Sequence, residues 1–326
     1  MTFGQRRNDK SHENMVKSVE QIEKEIVAIA QATTELRAAF ERAYSKYLTA
    51  LGKSVRQQLI LAVYYICTKA YPQSFLGMSL KQQQQIQEDI KKIADEAAKH
   101  LQLLSVIEPE REVIEPTEKS SQEASEKLAG AISANNALEI KLAHGITLGN
   151  TSGKVTNPQE LWNWQEKVES LIIEILEFTS RRANLGLKQL GIFPKMVGDM
   201  LIEAAKEVAN HTDNINRQGG IALVGEALGT PSQPNILNLT VEIPKDPEAV
   251  MTKGHIIKEE KPFNIITIHL RLHEIEFADS AVMAYRQEIR DCVSRLTVLK
   301  RDYQRKEQNL IVAKAEAAWR AIWFDE

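Results

Sequence analysis

Apolar residues recur along residues 15–47 at alternating steps of four and three, which is the spacing of a heptad seam. The seam runs from Met15 to Tyr47 with charged residues on the other faces, and Gly52 is expected to end the helix. At 1.5 Å per residue, a helix of about 40 residues is roughly 60 Å long and needs a partner helix along its length. The pattern predicts a long N-terminal coiled-coil helix.

A second heptad seam occupies residues 280–322, after Asp279 and Ser280, either of which can cap a helix. Lys306 is a single polar member of this seam, and a lone Lys at such a position commonly fixes the register of the pairing. The two long helices either pair with each other or each pairs with its copy in a second chain. The shorter helices between them favour an antiparallel pair within one chain.

Shorter helices are predicted between the two long ones from their N-terminal signals. The signals are Ser54 with Gln57, Ser79 with Gln82, Asn157 before Pro158, and Pro194. The first of these helices is apolar on nearly all sides, which predicts a buried central element. Residues 108–127 hold seven Glu against three basic residues, and we interpret them as a solvated linker before a weak, alanine-rich helix over residues 124–143.

Period-two alternation replaces the helical period in residues 235–243 and 264–272, after an irregular loop at 213–234. The expected fold class is mainly α: an elongated helical bundle or coiled coil with long N- and C-terminal helices and a small two-stranded β-ribbon. The expected organisation has three parts. They are an N-terminal coiled-coil helix with a helical hairpin (1–107), the acidic linker with its weak helix (108–157), and the remaining helices with the ribbon (158–326).

Composition supports helices and limits the function classes. Gly and Pro together number 25 of 326 residues, fewer than turn-rich β folds require, and the net charge of −3 carries no overall signal for nucleic acid or anionic membranes. Only Cys67 and Cys292 occur, which favours reduced thiols in a cytoplasmic protein. The most apolar stretch, residues 59–67, is about half the length of a membrane span, so any membrane contact is expected to be peripheral.

Catalytic and cofactor motifs are not evident, and we expect no metal, no cofactor and no enzymatic activity. His269 and His273 lie four residues apart, and on a strand that spacing is too long to share one ion. The pair could converge only if the chain is already helical from Leu272 onward, and a solvated strand face is the favoured interpretation. Cys67 and Cys292 lie on apolar helix faces and are interpreted as small buried hydrophobic residues. An enzyme whose site is built from residues distant in sequence, under the 213–234 loop, remains an alternative.

The C-terminal helix carries two candidate binding features. Residues 286–306 hold seven basic and three acidic side chains, and a basic face is predicted at Arg295, Lys300, Arg301 and Arg305. This face is either the solvated outside of a coiled coil or a phosphate-binding surface, which makes a nucleic-acid-binding regulator the second functional hypothesis. At the chain end, Trp319, Trp323 and Phe324 either dock into the protein's own core, the commoner outcome, or anchor a protein partner.

Three stretches, at residues 57–75, 265–279 and 315–326, resemble a family of conserved cyanobacterial proteins of unknown function. The resemblance implies a cytoplasmic protein of photosynthetic bacteria and no mechanism. The residues themselves favour a non-enzymatic adaptor, scaffold or regulatory protein. It is expected to bind other proteins, and possible self-association through the heptad helices is part of this hypothesis.

Overall fold

The long helices predicted at both ends of the chain are present in the computed structural model, which describes residues 3–104, 156–194, 222–225, 234–242 and 263–323. The helices are α1 (Phe3–Tyr65), α2 (Pro72–Leu76), α3 (Leu80–Leu103), α4 (Pro158–Gln189), α5 (Leu272–Ala278) and α6 (Ser280–Trp323), with a π-helical turn at Ile66–Ala70. The strands are β1 (Ala222–Gly225), β2 (Ile236–Glu242) and β3 (Phe263–Ile268). The mainly helical fold class with a small antiparallel sheet is confirmed.

Several expected segments lie outside the described residues. They are the acidic linker at 108–127, the alanine-rich segment at 124–143 and the helix expected to follow Pro194. The boundary expected between residues 107 and 108 lies there too, so the three-part division stays a prediction. Two compact units are distinguished by their internal packing. The described residues of unit one are 3–47, 104, 156–170 and 284–323, and the others form unit two.

In unit one, α1 and α6 pair antiparallel within the same chain. Lys46 contacts Glu288 at 3.4 Å, whereas further toward the N-terminus Glu25 contacts Lys306 and Glu23 contacts Lys314. The residue numbers rise on one helix as they fall on the other, which is the antiparallel order. The intramolecular alternative is therefore the one that this structure adopts.

Helix α4 adds a third member to unit one. Its start is as predicted: the Asn157 side chain accepts a hydrogen bond from the Gln159 backbone N–H at 2.8 Å, and Pro158 is the first helical residue. Trp164 then packs edge-on against Phe40 and Tyr44 of α1, with ring centroids 6.1 and 5.7 Å apart. These three aromatic side chains are buried together where α1 meets α4.

In unit two, α1 continues without a break through Gly52, so the predicted stop at that glycine and the capping box at Ser54 are wrong. The reason is packing. A Cβ at Gly52 would lie 3.2 Å from both Cα and Cβ of Ala98, so the missing side chain lets α3 approach α1 closely. Ser54 is buried, and its hydroxyl donates to the Ile275 carbonyl.

We expect Gly52→Leu to destabilise the protein by about 1–3 kcal/mol, because the added side chain must push α3 away from α1. Gly186→Leu on α4 is the matched control, since a Cβ there meets nothing within 4 Å. The control should be neutral or stabilising by up to about 0.5 kcal/mol, because Leu is a better helix former than Gly. Urea unfolding of both variants measures the difference, and equal stabilities would contradict the close approach.

The segment after Gly52 was expected to be buried on nearly all sides, and this prediction is wrong in part. Val55, Leu59, Val63 and Ile66 are buried, but other large side chains are exposed. The exposed ones are Ile60, Leu61 and Tyr64. Helix α3 agrees better with its prediction: Ser79 and Gln82 form the expected reciprocal cap, and the apolar stripe from Ile86 to Leu101 is buried.

The sheet has the two predicted strands and one more. Strand β2 pairs antiparallel with β3, with Ile236 opposite Ile268, and also with the unpredicted β1, which lies inside the loop expected to be irregular. The ribbon is therefore part of a three-stranded sheet. The second strand also ends earlier than predicted, at Ile268, because Leu272 is already the first residue of α5.

Side chains complete the outer edge of β3 where a fourth strand would otherwise pair. The Tyr71 hydroxyl accepts from the Ile266 N–H and donates to its carbonyl, at 3.0 and 3.3 Å. The Asn184 amide binds both backbone groups of Ile268, at 2.9 and 2.8 Å. The Ser180 hydroxyl then accepts from the Leu270 N–H at 2.9 Å. Tyr71, between the π-helical turn and α2, and two side chains of α4 thus satisfy backbone groups that would be costly to bury unpaired.

Candidate protein-interaction surface

Of the C-terminal aromatic residues singled out in the sequence, Trp319 lies near the end of α6. Trp319 is 64% exposed, so its side chain is not part of the core that the described residues form. The side chain of Trp323, and all of Phe324, lie outside the described part of the chain. Of the two interpretations of this chain end, the exposure of Trp319 favours the partner anchor over internal docking.

Trp319 has exposed apolar neighbours on the same helix. Ile311 is 62% exposed and Val312 is 46% exposed. Val312 and Trp319 are seven residues, or about two helical turns, apart and therefore lie on one line. The side of α6 that packs toward α1 carries Ala313, which is buried, together with Lys306 and Lys314. An apolar patch therefore lies on the outward side of a helix whose inner side already has a partner.

The predicted basic residues point in several directions. Lys300 lies over the ring of Trp162 on α4, 4.6 Å from its centroid, whereas Arg295, Arg301 and Arg305 are exposed. Arg295 and Lys300, five residues apart, are separated by about 140° around the helix axis. Arg301 and Arg305 lie within about 40° of each other, on the outward side. The structure thus brings only the last two together, and Arg305 also pairs with Asp302 at 3.3 Å.

Other basic residues of 286–306 face inward. Lys306, the polar member of the seam, pairs with Glu25 of α1, and this hydrogen bond, with a second from Gln21, lowers the pKa of the Glu25 carboxyl. The pairing places Glu25 opposite Lys306, which agrees with the register role predicted for this lysine. Because Arg286, Lys300 and Lys306 all have partners inside unit one, less positive charge is presented outward than the sequence count implies.

A polar network in unit one was not predicted. The Tyr44 hydroxyl and the Arg286 guanidinium both donate to Oε1 of Glu169, each at 2.5 Å, and the guanidinium lies 5.5 Å from the Tyr47 ring centroid. Burial, followed by the negative charge of Glu169, raises the pKa of Tyr44. One residue from each of α1, α4 and α6 meets here. Their separation in sequence left no local signal from which the network could be found.

A second network in unit two centres on Asn235, which was also missed. Asn235 is buried with a φ of 60°, a left-handed conformation that Asn tolerates better than most residues. Its side-chain amide donates to Gln58 and accepts from the Arg271 N–H, and its carbonyl accepts from the His269 N–H. Its own N–H donates to Glu274. The residue ties α1, β2 and the start of α5 together, which is a structural role.

The histidine and cysteine candidates take ordinary positions. His269 follows β3, whereas His273 is exposed on α5 with Nε2 4.0 Å from a Glu274 oxygen. Within the described ranges, no group of three or more His, Cys, Asp and Glu side chains is arranged to hold a metal ion. Cys67 and Cys292 are buried as predicted, and burial raises both thiol pKa values, that of Cys67 to about 11. Neither thiol is activated.

Two further hypotheses from the sequence concern a ligand site under residues 213–234 and membrane contact. The ligand site considered under residues 213–234 falls in a range of which the structure describes only 222–225 and residue 234. For membrane contact, none of the helices in the described segments is long and apolar enough to cross a bilayer.

Comparison of the chain with protein families, with characterised proteins and with solved structures found no match. The resemblance to a cyanobacterial family therefore stays a prediction.

Proposed function

We propose that this protein is a non-enzymatic helical scaffold or adaptor that acts through protein–protein contacts made by the outward side of α6 near its C-terminal end. The observation that carries the proposal is the exposed apolar patch of Ile311, Val312 and Trp319 on a helix already paired on its inner side. Exposed Trp side chains are enriched among the residues that dominate binding energy at interfaces.

Electrostatics at this end of α6 support a protein partner over nucleic acid. Arg301 and Arg305 share the outward line of the patch, and Asp302 beside them pairs with Arg305. Exposed Arg320 lies next to Trp319. Sequence-independent binding to phosphate needs several cationic side chains directed at one backbone. Three arginines around three apolar side chains fit the polar rim and apolar centre of a protein interface better.

We further propose that the protein acts in the cytoplasm. Its two cysteines are free, buried and on different helical segments, which suits a compartment that keeps thiols reduced. We also propose that it belongs with the cyanobacterial proteins that its sequence resembles. Cyanobacterial cells are therefore the material for the affinity capture described next.

We expect Trp319→Ala to leave the melting temperature unchanged within about 1 °C, because the exposed ring stabilises the fold little. Affinity capture with the tagged full chain should lose at least one captured protein, untagged copies of the chain included. Phe277→Ala is the matched control, since Phe277 is an exposed aromatic residue on α5, in unit two. Identical captured sets for wild type and Trp319→Ala would contradict the proposal.

A further inference from the structure

A second heptad line runs along the outward side of α6. Its members are separated by steps of four and three residues and all are exposed. They are Arg301, Arg305, Gln308, Val312, Ala315 and Trp319. Residues spaced in this way form one stripe along a helix, the same geometry that pairs α1 with the inner side of α6. We call these six residues the outer stripe.

The outer stripe is complementary to itself when it is reversed. Arg301 and Trp319 each lie nine residues from residue 310, and Arg305 and Ala315 each lie five from it. A two-fold symmetric contact requires this property, because residue i must meet residue j on both sides of the axis. An antiparallel second copy would place Arg301 against Trp319 of the partner subunit, twice.

Each of these pairs has a physical reason to be favourable. An Arg guanidinium over a Trp ring is the strongest common cation–π pairing. The small side chain of Ala315 leaves room for the long Arg305 of the partner subunit, and exposed Glu316 beside it offers a carboxylate. Near the axis, Ile311, on the flank of the stripe, approaches its own copy, so that its exposed surface becomes buried.

From this self-complementarity we propose that the occupant of the surface is a second copy of this chain, bound antiparallel through the outer stripe with the two-fold axis near residue 310. This inference rests on the proposed function and names its partner. Each copy contributes its own pair of α1 and α6, and the two pairs meet through their α6 helices to form a four-helix arrangement. Another protein on the same surface is an alternative outcome of the test.

The first measurement is the mass of the full chain by sedimentation equilibrium, at concentrations up to about 100 μM. We expect twice the monomer mass of 36.8 kDa at the upper concentrations. Val312→Glu should weaken the dimer at least about tenfold because it places a charge in the apolar contact, and Arg301→Glu should weaken it about fivefold through the lost cation–π pair. Met283→Glu, an exposed position near the other end of α6, should leave the dimer intact.

Cross-linking tests the orientation. With a short bismaleimide, Ile311→Cys should link the two copies, because the axis brings these positions together. Arg290→Cys should not, since the two copies of residue 290 would lie about 60 Å apart at 1.5 Å per residue. Equal cross-linking at both positions would show a parallel pair and overturn the proposal. The buried native cysteines set the background, which wild-type protein measures.

The failures of the two proposals are distinguishable. A chain that stays monomeric, or a dimer insensitive to Val312→Glu, overturns the second copy as occupant. If Trp319→Ala nevertheless removes a different protein from the captured set, the proposed function stands with another partner. If the chain is monomeric and the captured set is unchanged, both proposals are wrong.

Discussion

Asn184→Leu should destabilise the protein by about 4 kcal/mol. Asn184 is buried on α4, and its amide binds both the N–H and the carbonyl of Ile268, itself buried at the edge of β3. Leu has nearly the same volume but cannot form hydrogen bonds, so both backbone groups would lose their partners with no access to water. A buried backbone group left unpaired costs about 1–3 kcal/mol, and here two are affected at once.

Chemical denaturation measures this effect, and the midpoint should fall while the denaturant slope stays the same. Asn163→Leu is the matched control: Asn163 lies on the same helix but is exposed, and its side chain accepts a hydrogen bond from the Gln159 side chain one turn away. Its change should stay within about 0.5 kcal/mol. Equal effects of the two variants would show that Asn184 does not complete the sheet edge.

Glu169→Leu should cost about 3 kcal/mol. Glu169 accepts hydrogen bonds from Tyr44 and Arg286, and the side chains of Glu169 and Arg286 are 19% and 18% exposed. Removing the carboxylate leaves a mostly buried guanidinium without its counter-charge, and for fully buried pairs this costs about 3–5 kcal/mol. We place the expected value at the low end because water still reaches part of this pair.

The double variant Glu169→Leu with Arg286→Met should recover much of the loss, since apolar side chains of similar size can replace a buried ion pair. Glu288→Leu breaks the Lys46–Glu288 pair between α1 and α6, whose side chains are about half exposed, and should cost less than about 1 kcal/mol. Strictly additive effects of Glu169→Leu and Arg286→Met on the free energy of unfolding would contradict a coupled network. Thermal and urea unfolding of wild type, Glu169→Leu, Arg286→Met and the double variant complete the cycle.

Features that depend on a few neighbouring residues could be predicted from the sequence. The caps at Ser79, Asn157 and Asp279 form as expected, because each side chain binds a backbone group only two or three residues away. The heptad spacing predicted both long helices, and the alternation of apolar residues located β2 and the start of β3. The heptad spacing and the strand alternation repeat along the chain, so one mismatched position does not remove either signal.

The candidate surface was only partly predictable. The sequence left two alternatives for Trp319, docking into the protein's own core as the commoner outcome or anchoring a partner, and the structure places its side chain outside the core. The sequence also grouped Arg295 with Lys300, which lie far apart around α6. Helical period assigns residues to directions around one helix. It does not say which directions neighbouring helices occupy, and Lys300 has its ring partner only because α4 lies beside α6.

What only the tertiary structure decided are the contacts between distant segments. A glycine such as Gly52 permits either a left-handed stop or a close helix crossing, and Ala98 of α3 determines which one forms. The four residues of β1 are too few to alternate visibly and exist as a strand because β2 pairs with them. A heptad seam fits its own copy as well as another helix, so the sequence determined that α1 and α6 need partners. The ion pairs Glu25–Lys306 and Glu23–Lys314 join the two helices, so in this structure each helix is the other's partner.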